Sequence, residues 1–192
     1  MLAIVATAGV KTGNWLFNIH KAPEGKDRID EFLGLAQRTW PAKDLTLSVE
    51  PKNLTINAGE PIRFRITLSN PIDQTLMLNG WLTPEPSIFQ SNQFPVKLNI
   101  SKDGLAATYH GNAVVLPPHT NNDFFRLGPK QSKTIQLEVS KGWEMSASGL
   151  YTIEIWYETY LTGRYIGVNA WTGTTNRAVV QVQVNSPEGM KH

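Results

Sequence analysis

Residues Ser132–Glu158 read SKTIQLEVSKGWEMSASGLYTIEIWYE, and the alternation within them decides the fold class. Ile135, Leu137 and Val139 alternate with Thr134, Gln136 and Glu138. After a loop, Tyr151, Ile153, Ile155 and Tyr157 alternate with Thr152, Glu154, Trp156 and Glu158. Successive strand side chains point to opposite faces, so each run has one face to bury and one to leave wet or half-covered. The stretch predicts two strands of an antiparallel sheet joined by a loop.

That loop ends in Ala147-Ser148-Gly149-Leu150-Tyr151. A Gly followed by a Tyr at a strand entry is the arrangement of the tyrosine corner of immunoglobulin-like sandwiches, where the hydroxyl bonds back to backbone a few residues upstream. The competing reading is an ordinary aromatic at a strand start; the alternation that follows favours the corner.

Similar runs lie on both sides. Leu45, Leu47 and Val49 alternate with polar residues. Ala58-Gly59-Glu60-Pro61 is a turn, and Ile62, Phe64, Ile66 and Leu68 then form a second alternating run. Asn70-Pro71-Ile72-Asp73 turns the chain into a run from Leu76 to Leu82. Val96, Leu98 and Ile100 precede the turn Lys102-Asp103-Gly104, a short run covers Ala113 to Leu116, and Val180, Val182 and Val184 mark the last strand. About eight short strands spaced by turn signals, with no helices between them, predict an all-β, immunoglobulin-like antiparallel β-sandwich over 44–186.

Upstream, 1–43 reads as an N-terminal extension. Ile29, Phe32, Leu33, Ala36 and Trp40 fall on one helical face, with Asp27 as N-cap and Pro41 as the stop, so a short amphipathic helix from Lys26 to Trp40 is expected against one side or end of the sandwich. The start, MLAIVATAGV, reads as a truncated secretory signal over 1–8 ending in Ala6-Thr7-Ala8, or as a first strand, or as a non-native leader.

The 192 residues suffice for one good core, with 41% hydrophobic and 18% charged residues. A net charge of +2 gives no reason to expect nucleic acid or an anionic membrane as partner, and no segment is apolar for long enough to span a bilayer. Zero cysteines excludes disulfides, thiolate zinc sites and cysteine nucleophiles, and fits either the cytosol or bacterial secretion.

Catalytic motifs are not found. The histidines His20, His110, His119 and His192 make no H-E-x-x-H helix. There is no G-x-S-x-G elbow, and Lys11-Thr12-Gly13 has no S-x-x-K or S-D-N to accompany it. Gly163 to Gly167 lacks the spacing of a phosphate loop, and Glu154 and Glu158 fall on the outward face of their strand. The expectation is a non-enzyme with no cofactor and no metal.

Three loops are rich in residues that dominate interface energetics. Thr83 to Pro95 carries Ile88, Phe89 and Phe94; Leu116 to Phe125 carries His119; Thr159 to Asn176 carries Tyr160, Arg164, Tyr165 and Trp171. Loops at sandwich ends are common recognition surfaces, so Phe89, Phe94, His119, Tyr165 and Trp171 are the expected partner contacts. The last link reads equally well as a further hairpin with Tyr165 and Trp171 packed on the sheet. A second hypothesis is carbohydrate binding with Trp143, Trp156 and Trp171 as stacking platforms. A third is a structural domain of a secreted or surface assembly.

From about Asp44 to Val184 the chain resembles a loose group of bacterial Ig-like domains linked to proteolysis. One member is the pro-domain of deuterolysin-like and peptidyl-Lys metallopeptidases; another is the intracellular proteinase inhibitor family of bacilli. The resemblance rests on Ser69-Asn70-Pro71, on Lys102-Asp103-Gly104, on the stretch from Phe125 to Ser132, and on Gly149-Leu150-Tyr151-Thr152. Two departures are Gly128-Pro129 in place of Pro-Gly at the turn, and the lack of a following catalytic domain. The resemblance implies a free-standing inhibitor or pro-domain-like chaperone that engages a peptidase, secreted or periplasmic.

Overall fold

In the longest alternating runs the apolar set is buried on one face. The computed structural model describes residues 44–82, 94–111, 117–140 and 142–186. The expected helix between Lys26 and Trp40, the signal-like start, and the run from Ala113 to Leu116 lie outside the described residues. Strand β1 (Thr46–Glu50) buries Leu47 and Val49, while β2 (Asn53–Asn57) buries Ile56. Strand β3 (Arg63–Ser69) buries Phe64, Ile66 and Leu68, and β4 (Leu76–Asn79) buries both its leucines. Then come β5 (Val96–Lys102), β6 (Leu105–Ala106), β7 (Phe124–Leu127) and β8 (Ser132–Glu138). The long β9 (Gly149–Thr159) buries Tyr151, Ile153, Ile155 and Tyr157. A short β10 (Gly173–Thr174) precedes β11 (Ala178–Asn185), which buries Val180, Val182 and Val184. Each such side chain contributes about 1.5–3 kcal/mol of burial before entropy is counted.

The strands form a three-stranded sheet in the order β1-β3-β8 and a six-stranded sheet in the order β2-β11-β9-β5-β6, with β10 added to β9. A separate ribbon pairs β4 with β7. Two expectations need correction. The two strands of the Ser132–Glu158 stretch do not share a sheet: β8 pairs with β3, and β9 pairs with β5 and β11. Their connection is not a tight turn. It is a crossing held by backbone bonds from His110 N–H to the Gly142 carbonyl (3.0 Å) and from Glu144 N–H to the Thr108 carbonyl (2.9 Å). Alternation reports which face is buried, and it is the same whether a strand's neighbour lies beside it or across the core. The arrangement is also not wholly antiparallel, because β2 runs parallel to β11. The chain leaves β1, passes a cis Glu50–Pro51 bond and joins the opposite sheet.

The corner at the entry of β9 forms as read: the Tyr151 hydroxyl donates to the Ala147 carbonyl at 2.9 Å. Asn70, at the end of β3, joins two of the turns singled out in the sequence. Its amide Nδ2 donates to the carbonyls of Gln74 (2.7 Å), Leu127 (3.0 Å) and Gly128 (2.9 Å), and its Oδ1 accepts from Ile72 N–H (3.2 Å). Its backbone N–H donates to the Gln131 carbonyl at 2.9 Å. A buried amide whose nitrogen and oxygen are both hydrogen-bonded is a rigid fastener. It fixes where β7 ends and β8 begins.

Candidate functional site

The β4–β7 ribbon carries the end of the molecule where the candidate contacts gather. Opposite residues of an antiparallel pair share a face. Leu76, Leu78 and Leu127 are buried on the core side, while the pairs Met77–Arg126 and Asn79–Phe124 form the other side. Just past β4, the Gly80 N–H donates to the Asp123 carbonyl at 2.6 Å. A Cβ at Gly80 would lie 2.9 Å from that same oxygen, so only glycine permits the approach.

The approach brings Trp81 onto His119, with ring centroids 3.8 Å apart. Phe94 lies 5.7 Å from Trp81, and Phe124 lies 5.8 Å from His119. These four rings form a continuous chain of tilted contacts. Beside it, a 3-10 turn at Asn121–Asp123 aims the Asp123 carboxylate back at Thr120. Asp123 accepts from the Thr120 N–H (2.6 Å) and hydroxyl (3.0 Å), and the His119 Nδ1 lies 4.0 Å away. Burial by itself pushes the Asp123 carboxyl up, but the hydrogen bonds from Thr120 and Trp81, together with the His119 charge, hold it below the ordinary carboxylate range.

The link after β9 lies on the ribbon's other side. Gly163 and Gly167, both left-handed with φ of 70° and 78°, bracket a 3-10 turn at Arg164–Ile166. The Gly163 carbonyl accepts from Ile166 and Val168 (both 3.0 Å), and Ala170 N–H closes the loop onto the Thr162 carbonyl at 2.7 Å. A Cβ at Gly163 would sit 2.9 Å from the Phe124 ring and 3.0 Å from Val168. The loop thus rests directly on the last ring of that series. At its exit, Trp171 N–H donates to the Met77 carbonyl (2.7 Å), and the Trp171 indole donates to Asp44 (2.8 Å) while packing on Tyr157 (5.8 Å). The Tyr157 hydroxyl donates to the Asn79 carbonyl at 3.2 Å. The exit of the loop and the strand that leads into it are therefore both tied to β4.

The structure brings most of the expected contacts to this end, but places them differently from one another. Phe94 and His119 are each 6% exposed and Trp171 is 9% exposed, so they support the loops rather than project from them. Tyr165 lies half-buried on the glycine-bounded loop. Phe89 lies outside the described residues. In the link from Thr159 to Asn176, Gly173 and Thr174 pair with Thr159 and Glu158 as a short hairpin strand, and the segment before them is a closed loop. Trp81, Phe124, Asp123 and Arg126 belong to the site and were not among the expected contacts. The only signal for them was Gly80-Trp81 directly after an alternating run and the short apolar pattern around Phe124.

The three tryptophans of the carbohydrate hypothesis do not share a platform. Trp156 lies on the outer face of β9, with Arg177 over its ring at 4.4 Å and its indole donating to Glu158 at 2.7 Å. Trp171 packs on Tyr157, whose side chain points to the opposite face of the same strand. Trp143 is half-buried against Tyr109 at 4.9 Å. Among the described residues no group of three or more His, Cys, Asp or Glu side chains is placed to hold a metal ion. No described helix is long and apolar enough to cross a membrane.

No family model matches the chain. An extracellular protease of Aeromonas hydrophila is 30% identical over 102 residues, which is 52% of this chain and 28% of that protein. Among solved structures, the YadV chaperone aligns over 78% of this chain and 54% of its own, at 11% identity and a TM-score of 0.31. The chain thus spans little more than a quarter of the curated relative that it matches.

Proposed function

We propose that this chain is a non-enzymatic, immunoglobulin-like binding module that docks on a peptidase through its loop-bearing end, as an inhibitor or a pro-domain-like partner. The observation that carries the reading is the closed loop between Thr162 and Ala170, held at both ends and seated on the Trp81–His119–Phe124 rings. A contact surface that is ordered before binding loses less conformational entropy on association. The partial likeness to an extracellular protease supports a setting in which the module accompanies a peptidase, and an extracellular or periplasmic location with it. The tyrosine corner and the passage of the first strands from one sheet to the other support the immunoglobulin-like assignment.

The test is an inhibition and binding panel of secreted metallo-, serine and aspartic peptidases, including the Aeromonas hydrophila enzyme. Saturable binding to one class, lost when 162–170 is replaced by a glycine-serine linker, is the expected result. Full activity and no binding throughout the panel would refute it.

A further inference from the structure

Most arginines among the described residues are neutralised in place. Arg63 pairs with Glu138 at 3.0 Å, Arg65 with Glu50 at 3.7 Å and Arg177 with Glu154 at 3.3 Å. Arg126 and Arg164 are the exceptions: both are exposed, and neither side chain forms an ion pair, hydrogen bond or ring contact with a described residue. They also lie at the same end. Arg126 is on the face of the ribbon that bears Phe124, two residues along β7 and so about 7 Å away. The Phe124 ring touches Gly163, the residue before Arg164. The carboxylates nearest to them in the chain are already engaged, Asp123 by Thr120 and Glu158 by the Trp156 indole and the Tyr160 hydroxyl.

The backbones that carry the two arginines are fixed. Arg126 stands on a paired strand, and Arg164 opens a 3-10 turn locked between two left-handed glycines. A guanidinium offers a planar fork of donors that fits a carboxylate bidentately. From this geometry we propose that Arg126 and Arg164 form a two-point cationic clamp for an acidic protein surface, one that presents Asp or Glu side chains at matching spacing. The clamp deepens the docking reading above and names the chemistry of the partner's face.

Titration of the isotopically labelled full chain with poly-L-glutamate, followed by NMR, tests the clamp without a peptidase. The amides of 162–168 and the guanidinium Nε–H signals of Arg126 and Arg164 should shift at about tenfold lower polymer concentration than those of the paired Arg63, Arg65 and Arg177. One exposed ion pair supplies up to about fivefold in affinity, so Arg126→Gln with Arg164→Gln should weaken binding about tenfold or more. Raising the salt should abolish it. Shifts spread evenly over all cationic side chains, an unaffected double variant, or stronger shifts of the same signals with a DNA duplex would overturn the proposal. Peptidase binding that survives the double variant also overturns the clamp while leaving the docking reading intact. Glutamate shifts with no peptidase binding leave the clamp and remove the peptidase.

Discussion

Asn70→Ala removes the amide that joins the β3 exit to the turn after β7. The wild-type side chain donates to three carbonyls at 2.7, 3.0 and 2.9 Å and accepts from Ile72 N–H at 3.2 Å. A typical intramolecular hydrogen bond is worth about 0.5–1.5 kcal/mol net, and a buried group left unpaired costs about 1–3 kcal/mol. Three of these bonds share two amide protons, so about 2–4 kcal/mol is expected for Asn70→Ala. Asn70→Asp is the sharper probe, because its carboxylate would face three carbonyl oxygens with no proton to offer. Burial among acceptors raises a carboxyl's folded pKa above its unfolded value near ~3.9. Below that value the acid is protonated in both states and the variant keeps a donor; as pH rises past it, the unfolded state ionises first and stability falls. At neutral pH Asn70→Asp should therefore be less stable than Asn70→Ala, with the order narrowing or reversing near pH ~4. Urea unfolding followed by tryptophan fluorescence, at both pH values and with the m-value fixed, reads this directly. A loss below about 1 kcal/mol for Asn70→Ala, or equal stability of the two variants at neutral pH, would refute the fastener role.

Three further outcomes are expected. Gly163→Val puts a branched side chain at φ 70° and against the Phe124 ring, so local opening should let trypsin cut after Arg164 at least about tenfold faster; Gly167→Ala, with φ 78° but open space around it, should do less. Burial pushes the Tyr157 phenol far above its usual range, with Tyr160 raised by burial and by Glu158. A raised tyrosine pKa means stability that is whole below about pH 10 and lost as pH rises beyond it; Tyr157→Phe should flatten that alkaline decline in a stability-versus-pH series. Asp123 is held low, so its contribution is present above about pH 4 and lost as pH falls below it; Asp123→Asn should flatten part of the acid limb of thermal unfolding.

Much of the fold was readable because strand periodicity is a local signal. Leu45 to Val49, Ile62 to Leu68, Val96 to Ile100, Tyr151 to Tyr157 and Val180 to Val184 all carry it, and all are strands with those side chains buried or nearly so. The Gly149–Tyr151 corner was readable for the same reason, since its hydroxyl reaches only as far as Ala147. Strand β2 was missed: Asn53–Asn57 has only Ile56 well buried, and its pairing is with a strand at the far end of the chain. Strand β7 was missed because its four residues are too few to set a period.

The site was legible in its composition and not in its geometry. Aromatic loops with His119, Tyr165 and Trp171 could be picked out by residue type, and those residues do gather at one end of the molecule. That His119 and Trp171 would be buried as supports, that Gly80 and Gly163 would allow the close approaches, and that Arg126 and Arg164 would have no partner among the described residues depends on contacts between segments far apart in the chain. Alternation determined by itself which side chains turn inward, because the side chain two positions along a strand always returns to the same face. Only the tertiary structure decided which sheet each strand joined and which charges found partners, because pairing depends on what stands opposite across the chain rather than on its neighbours in sequence.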